Sequence, residues 1–324
     1  MATLWRAMRR QILTPKVSET TLETRGFYEK DAAARDVLET VGQSFLAGYA
    51  AAMEAPTPEA VAGPLDDLPV RFRGFAYEGA AMAFGVLDGL PFGGGGRLAR
   101  FLDGPGSAHV YMAYVGIGWA MARLPRFRWS TLAAPDPLLR WLALDGYGFH
   151  QAYFHTDRYV GGQYEETNFP WPVGGPQWYA ARAIDQGVGR AMWFVGGTDP
   201  DRVAGLIDAF PARRRADLYS GAGLAATYAG GASEDELRRF WERAGDHRPQ
   251  VAQASAFAAE ARIRAGLLVP HTALATEVFC GMSPADAAEV SRRSRPDVAA
   301  RSQLPSYEIW RERIASEFVS LGRC

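Results

Sequence analysis

Apolar and small residues recur along most of this chain with the 3.6-residue period of amphipathic helices. Val37, Val41, Phe45 and Tyr49 follow that period within a segment rich in alanine and leucine. Runs that alternate between β-branched and polar residues, as strands do, are nearly absent. The pattern predicts an all-α protein of roughly a dozen helices, arranged as an internally duplicated bundle or a short closed α-solenoid.

One segment of the chain occurs twice, at a spacing of 142 residues. Residues 58–83 align with residues 200–225 without a gap, and twelve of the 26 aligned pairs are identical. Chance would give about two identities in ordinary protein composition. An internal duplication explains the match. It divides the chain into an N-terminal arm (1–25), a first repeat half (26–165) and a second repeat half (166–324), most simply within one compact domain.

Two of the predicted helices carry paired glycines, Gly116-x-Gly118 and Gly187-x-Gly189. Glycine in a helix interior costs about 1 kcal/mol relative to alanine. Pairs at equivalent places therefore indicate that another backbone or a ligand approaches these helices closely, and helix–helix packing is the default explanation.

The formal net charge of −1 provides no global field that would attract nucleic acid or an anionic membrane. The two cysteines form neither a metal motif nor a disulfide framework. The longest nearly apolar run, Val110–Leu124, is shorter than a membrane span, and no signal peptide is evident. These features predict a soluble cytoplasmic protein that does not bind nucleic acid.

The N-terminal arm predicts a short amphipathic helix. Trp5, Met8 and Ile12 would form one face of it, before Pro15. The three arginines at positions 6, 9 and 10 fit a solvated face, which is the default. Contact with a membrane surface through residues 1–13 is the alternative.

Four segments suggest a shared polar site. Glu78 and Ser220 occupy equivalent places in the gap-free repeat, and two further segments, which align only loosely, add His150 and His271. The four side chains would converge on the axis of a pseudo-symmetric bundle. Glu78, His150 and His271 are the candidate acid, base or ligand groups. The alternatives are structural: an ion pair between Glu78 and a nearby arginine, a hydrogen-bonded core histidine, and a helix cap at Ser220. The paired Glu-x-x-His motifs of di-iron bundles are missing, so no metal is assigned, and the cofactor is unknown.

Aromatic residues crowd the centre of the chain and are candidates for lining an apolar pocket for a planar or polyunsaturated ligand. Ordinary core packing remains the alternative for each of them. The candidate substrate-binding residues are Tyr77, Trp119, Phe149, Tyr153, Tyr219 and Ser220.

Several blocks of the sequence resemble the UnbL-type family, a family of unknown function encoded beside iterative polyketide synthases in the enediyne gene clusters of actinomycetes. The blocks are Arg25–Phe27, Gly74–Ala83, Gly116–Ala120, Asp145–Phe154, Gly187–Arg190 and Tyr219–Leu224. The resemblance implies a role in enediyne antibiotic biosynthesis, in the conversion of the linear polyene made by the synthase into the enediyne core. The family has no settled catalytic residues, but Glu78 and His150 lie inside its blocks.

Two functions remain open at this point. The first is an enzyme, or an enzyme subunit, that acts on the polyene intermediate within an apolar interior. The second is a non-catalytic carrier or scaffold that holds the polyene, or other enediyne-pathway proteins, near the synthase. A membrane-associated adaptor that uses residues 1–13 is a third and weaker reading.

Overall fold

The computed structural model describes residues 2–91, 95–172, 175–297 and 303–324, so Met1 of the predicted arm lies outside the described residues. Within these ranges the chain forms α-helices, a few short 3₁₀ or π segments, and no strand. The all-α prediction is confirmed. The helices exceed the predicted dozen because several are short. They are α1 (Ala2–Leu13), α2 (Leu22–Arg25), α3 (Ala32–Glu54), α4 (Ala62–Asp66), α5 (Val70–Gly89), α6 (Arg97–Asp103), α7 (Val110–Arg123), α8 (Arg140–Phe154), α9 (Gln177–Val195), α10 (Pro200–Asp208), α11 (Ala212–Tyr228), α12 (Glu234–Ala244), α13 (Arg248–Arg264), α14 (Pro270–Cys280), α15 (Pro284–Arg293) and α16 (Ser306–Ser320).

Seven of the longer helices pack in sequence around a common interior. The order of contact is α3, α5, α7, α8, α9, α11 and α13, each helix lying against the next. The path closes because α13 also contacts α7, and because Arg262 in α13 donates a 3.0 Å hydrogen bond to the carbonyl oxygen of Arg71 in α5. None of the helices in the described residues is both long enough and apolar enough to cross a bilayer.

Paired glycines bring the helices of this ring together. On an α-helix, residues two apart point about 200° apart, toward opposite neighbours. A Cβ atom at Gly116 would overlap the carbonyl oxygen of Glu78 in α5. A Cβ atom at Gly118 would overlap the carbonyl oxygen of Ala143 in α8. The close approach of helix to helix is therefore what these glycines serve. The same Gly-x-Gly triplet recurs in α7 (116–118), α8 (146–148), α9 (187–189) and α11 (221–223).

The triplet also determines which side chains face the interior of the ring. The two glycines face neighbouring helices at about 0° and 200° around the helix axis. The residue before the first glycine then points at about 260° and the residue after the second at about 300°. Both directions lie between the two neighbouring helices, on the side of the interior. The residues after the second glycine are Trp119, Phe149, Arg190 and Leu224, and all four line one cavity. The residues before the first glycine are Val115, Asp145, Gln186 and Ser220. In α5, Gly79-x-Ala81 takes the place of the Gly-x-Gly triplet. Glu78 is therefore the residue before the first small residue, and Met82 is the residue after the second.

Two residues that the sequence repeats share, a tyrosine and an aspartate, join a short helix to the long helix that follows it in each half of the chain. The Tyr77 hydroxyl donates a 2.9 Å hydrogen bond to Asp66, and the Tyr219 hydroxyl donates one of 2.8 Å to Asp208. Each tyrosine ring also stacks on a histidine, at 3.5 and 5.2 Å between ring centroids. The matching sequence segments thus make matching contacts in both halves of the chain.

Candidate functional site

A cavity of about 80 Å³ lies inside the ring, among α3, α5, α7, α8, α9 and α11. We call it the central cavity. At one end its lining includes Arg123, which is exposed, and Pro15 and Glu19, which are half-buried, so this end faces solvent. Its walls are mostly aromatic, and include Phe45, Tyr49, Trp119, Phe149, Tyr153 and Phe194.

A second cavity of about 30 Å³, the inner cavity, lies on the side of α13 and α16. Asp145 and Tyr307 are among the residues that line it. The two cavities share four side chains as a partition, namely Met112, Arg190, Leu224 and Tyr228. Arg190 therefore borders both cavities. This agrees with its position directly after Gly187-x-Gly189, which points its side chain into the ring.

Glu78 is a buried carboxylic acid in the mostly aromatic wall of the central cavity. Only 4% of its surface is exposed. Burial raises the pKa of Glu78 to about 8, although the nearby Arg190 cation favours the ionised form. Asp145 raises this pKa further through charge repulsion. At neutral pH Glu78 is therefore mostly protonated, and it can donate a hydrogen bond or a proton to a group in the cavity.

Arg190 and Asp145 form a buried ion pair behind Glu78. The Arg190 Nε atom lies 2.9 Å from Asp145 Oδ1, but neither atom has hydrogen-bonding geometry. Burial raises the pKa of Asp145, against the favourable charges of Arg190 and Arg311. The Arg190 guanidinium also lies over the Phe149 ring, 4.9 Å from its centroid. This cation is held by charge and by the ring rather than by a full set of hydrogen bonds.

Several buried polar atoms around the cavities lack a hydrogen-bond partner in the described part of the chain. Such atoms cost free energy when buried, so their clustering at one place is informative. The Trp119 indole lies near enough to Glu78 to favour its ionised form, yet its Nε1–H is outside hydrogen-bonding geometry. The five such atoms that border the two cavities are Trp119 Nε1, His150 Nε2, Arg190 Nε, Asp145 Oδ1 and the Tyr228 hydroxyl.

His150 lines the central cavity beside Trp119, with 5.3 Å between the ring centroids. Its Nδ1 atom lies 3.3 Å from Gln151 Oε1, and its Nε2 atom has no protein partner in the described residues. Burial lowers the pKa of His150 to about 3, so the ring is neutral at pH 7. A neutral imidazole with a free nitrogen can accept a hydrogen bond from a bound group, and with this low pKa it takes up a proton only from a strongly acidic one.

The structure places five of the sequence-predicted site residues together and the other four elsewhere. Glu78, His150, Trp119, Phe149 and Tyr153 line the central cavity, whereas His271, Tyr77, Tyr219 and Ser220 do not. The His271 Nε2–H donates a 3.0 Å hydrogen bond to the Tyr228 carbonyl oxygen, and Ser220 donates one of 3.1 Å to Gln253. Tyr77 and Tyr219 make the tyrosine–aspartate contacts described above.

The equivalence of Glu78 with His150 and His271, suggested by the loose alignment, is not the one that the helices adopt. Judged by the glycine pairs, the equivalents of Glu78 are Val115, Asp145, Gln186 and Ser220. The sequence also suggested an ion pair between Glu78 and an arginine close to it in the chain. Arg73, five residues before Glu78, donates instead to the Leu68 carbonyl oxygen, and the cation that favours the ionised form of Glu78 is Arg190 in α9.

Sequence reasoning missed Arg190 and Tyr228. A signal for Arg190 was present, because a single arginine follows Gly187-x-Gly189 where the other triplets are followed by apolar residues. Tyr228 lies at the end of α11, one helical turn beyond Leu224, and nothing local distinguishes it.

Among the described residues, no group of three or more histidine, cysteine, aspartate or glutamate side chains is placed to hold a metal ion.

The titration of Glu78 predicts a measurable pH dependence of stability. The folded protein keeps the Glu78 proton up to about pH 8, whereas the unfolded chain loses it near the ordinary value of 4.5. The native state binds more protons between these values, so this group makes the free energy of unfolding fall as the pH rises. In Glu78→Gln, which cannot titrate, that decline disappears. We therefore expect the unfolding free energy of Glu78→Gln, relative to that of the wild type, to increase by about 1.4 kcal/mol for each pH unit between pH 5 and 8.

The measurement is urea unfolding of both proteins at several pH values. Glu23→Gln, at an exposed carboxylate in α2, is the matched control and should keep the wild-type slope. Parallel slopes for wild type and Glu78→Gln would show that Glu78 is ionised in the folded state.

Comparison with known proteins identifies the family of this chain. A model of the family described as "Protein of unknown function (DUF1702)" matches residues 4–318, so the chain belongs to that family. No curated protein and no solved structure matches the chain.

Proposed function

We propose that this protein binds the linear polyene product of an iterative polyketide synthase in its central cavity and takes part in converting it to an enediyne core. The observation that carries the proposal is an aromatic-walled cavity with one buried, protonated carboxylic acid, Glu78. The resemblance of the sequence blocks to the UnbL-type family supports the pathway. Other enediyne-pathway proteins are the expected macromolecular partners.

The walls of the cavity suit a conjugated hydrocarbon chain. Aromatic rings offer flat apolar surfaces that pack against a planar π-system, and the enclosed space keeps water from a reactive polyene. The cavity of about 80 Å³ is smaller than the roughly 150 Å³ of a cavity that holds benzene. A polyene therefore enters only if side chains at the solvent end, such as Glu19 and Phe154, move aside.

The polar atoms beside the partition suit an oxygen on the ligand. Trp119 Nε1–H, the Tyr228 hydroxyl and protonated Glu78 are donors, and Arg190 adds positive charge. A carbonyl or carboxylate oxygen would accept hydrogen bonds from the Trp119 indole and the Tyr228 hydroxyl, which have no partner among the described residues. We infer that the polyene enters with an oxygen-bearing group toward Arg190 and its hydrocarbon chain toward the solvent end.

In the catalytic form of the proposal, Glu78 starts an isomerisation of the bound polyene. Its O–H bond breaks and the proton adds to one carbon of a C=C bond, whose π-electron pair forms the new C–H bond, so a delocalised cation is left on the polyene and a carboxylate on Glu78. Loss of a proton from another carbon to a base in the cavity restores a C=C bond at a shifted position, and no oxidant is consumed. Arg190 stabilises that carboxylate by charge. His150, with its free Nε2 atom, is the candidate proton acceptor in the same cavity.

A carrier function is the second candidate. It is favoured by the predominance of apolar side chains in the lining, which stabilises a bound hydrocarbon without reacting with it. In this form Glu78 and Arg190 hold the oxygen of the polyene and transfer no proton.

Filling the cavity tests binding in both forms of the proposal. Ala225 in α11 lines the central cavity, and Ala225→Leu places a larger side chain in that space. We expect the dissociation constant for a linear polyene carboxylic acid to rise at least about tenfold, since the ligand and the new side chain need the same volume. Titration followed by quenching of tryptophan fluorescence measures it.

Ala216→Leu on the same helix is the matched control, because Ala216 lies in a surface groove away from the cavity and should leave binding unchanged. Equal affinities in Ala225→Leu and wild type would place the polyene outside the central cavity.

A further inference from the structure

Helix α1 presents its apolar face to solvent instead of to the protein. Leu4, Trp5, Met8 and Ile12 lie within about 100° of one another around the helix. Leu4 is 77% exposed, Trp5 59% and Ile12 70%. Leu13 points about 80° or more away from this group and packs against the core. We call the four exposed side chains the α1 apolar face.

Polar contacts hold the helix in this orientation. The Arg9 Nε–H donates a 2.7 Å hydrogen bond to the Met53 carbonyl oxygen at the end of α3. Arg10 forms a 2.8 Å ion pair with Glu54, the last residue of α3. The arginines thus anchor α1 to the body of the protein, and the apolar face points outward. This is the reverse of the usual arrangement of a helix at a protein surface.

The charge around this face is positive in a chain that is otherwise nearly neutral. Residues 4–16 contain three arginines and Lys16 and no acidic residue, against a net charge of −1 for the whole chain. Burial lowers the pKa of Arg9, and the charges of the nearby Arg97 and Arg6 lower it further. A helix with a tryptophan and aliphatic residues on one face and arginines beside it has the composition of a helix that lies in the interface of an anionic bilayer.

The α1 apolar face lies next in sequence to the solvent end of the central cavity. Pro15, Glu19 and Thr20, which follow α1 directly, line that end. Val17, between them, is 57% exposed and extends the apolar surface. A lipophilic molecule dissolved in a bilayer would meet the cavity entrance without crossing water.

We propose that the α1 apolar face docks on the surface of a membrane that contains anionic phospholipid, and that this places the entrance of the central cavity at the bilayer. The four apolar side chains enter the boundary between headgroups and acyl chains, and Arg6 and Lys16, the basic residues of this segment that do not anchor α1 to α3, contact lipid phosphates. The docking goes beyond the proposed reaction and does not depend on it, because it is measured without any polyene.

The test is flotation of the full chain with vesicles of phosphatidylcholine, with and without phosphatidylglycerol. We expect binding to the anionic vesicles that weakens with added salt, and much less binding to the neutral ones. The neutral double variant Trp5→Gln/Ile12→Gln should weaken binding to anionic vesicles by at least about tenfold, because the loss of two buried apolar side chains costs more than 1.4 kcal/mol. Circular dichroism checks that each variant keeps its helix content.

The matched control is Phe127→Gln/Leu268→Gln, which removes two exposed apolar side chains elsewhere, 79% and 48% exposed, at the same charge. It should bind as the wild type does. The proposal is overturned if wild-type protein ignores anionic vesicles, or if the control loses as much binding as the α1 variant. A concentration-dependent dimer in sedimentation that only the α1 variant abolishes, with no vesicle binding, would instead assign this face to contact between two copies.

Discussion

Gly118→Ala is expected to lose about 3 kcal/mol or more of unfolding free energy, in spite of the better helix propensity of alanine. The Cβ atom at this position would overlap the carbonyl oxygen of Ala143 and the amide nitrogen of Tyr147, both in the backbone of α8. Backbone atoms cannot rotate away as a side chain can, so α7 and α8 must separate. Separation would open the interior of the ring and disturb the cavity walls at Trp119 and Phe149. Urea unfolding measures the loss.

Gly205→Ala is the matched control for this prediction. Gly205 is also helical, in α10, but it is exposed and a Cβ atom there would meet nothing within 4 Å. The same substitution should therefore stabilise the protein by about 0.5–1 kcal/mol. If the two variants change stability alike, the glycine pairs are not what sets the spacing of the ring.

Glu78→Gln is expected to reduce conversion of the polyene by about 100-fold or more, if the catalytic form of the proposed function holds. Glutamine keeps the shape of protonated Glu78 and still donates a hydrogen bond, but it cannot release a proton. Binding of the polyene should therefore change little. The measurement is the ratio of linear polyene to enediyne product in a producing strain that carries the variant, together with the polyene affinity of the purified protein.

The two readouts separate the alternatives. Normal binding with lost conversion assigns a proton transfer to Glu78. Normal binding with normal conversion assigns the carrier function. Loss of binding in Glu78→Gln, with wild-type affinity in Ala225→Leu, would contradict both forms of the proposal, because Glu78 is buried and can touch only a ligand that occupies the central cavity. Glu165→Gln, at a carboxylate that is bound to Arg213 outside the cavity, is the control and should leave both readouts unchanged.

The candidate site was predicted from the sequence only in part. The motif blocks and aromatic content indicated Glu78, His150 and Trp119, and all three line the central cavity. The loose alignments suggested His150 and His271 as equivalents of Glu78, but the glycine pairs give other equivalents, and the His271 side chain bonds to the Tyr228 carbonyl oxygen. The alignments relied on spacing between polar residues, which insertions in loops change. The spacing of the small residues, which the packing of the helices constrains, would have given the correct equivalence.

The sequence by itself determined the helices, the duplicated segments and the close contacts at the glycine pairs. These follow from local properties: the period of apolar positions, and the absence of a side chain at positions two residues apart. Only the tertiary structure decided that Glu78, Arg190 and Tyr228 share one interior, because they come from three helices brought together by long-range packing. It also decided the protonation of Glu78, since a carboxyl group keeps its ordinary pKa in water and loses it only when the surrounding helices remove that water.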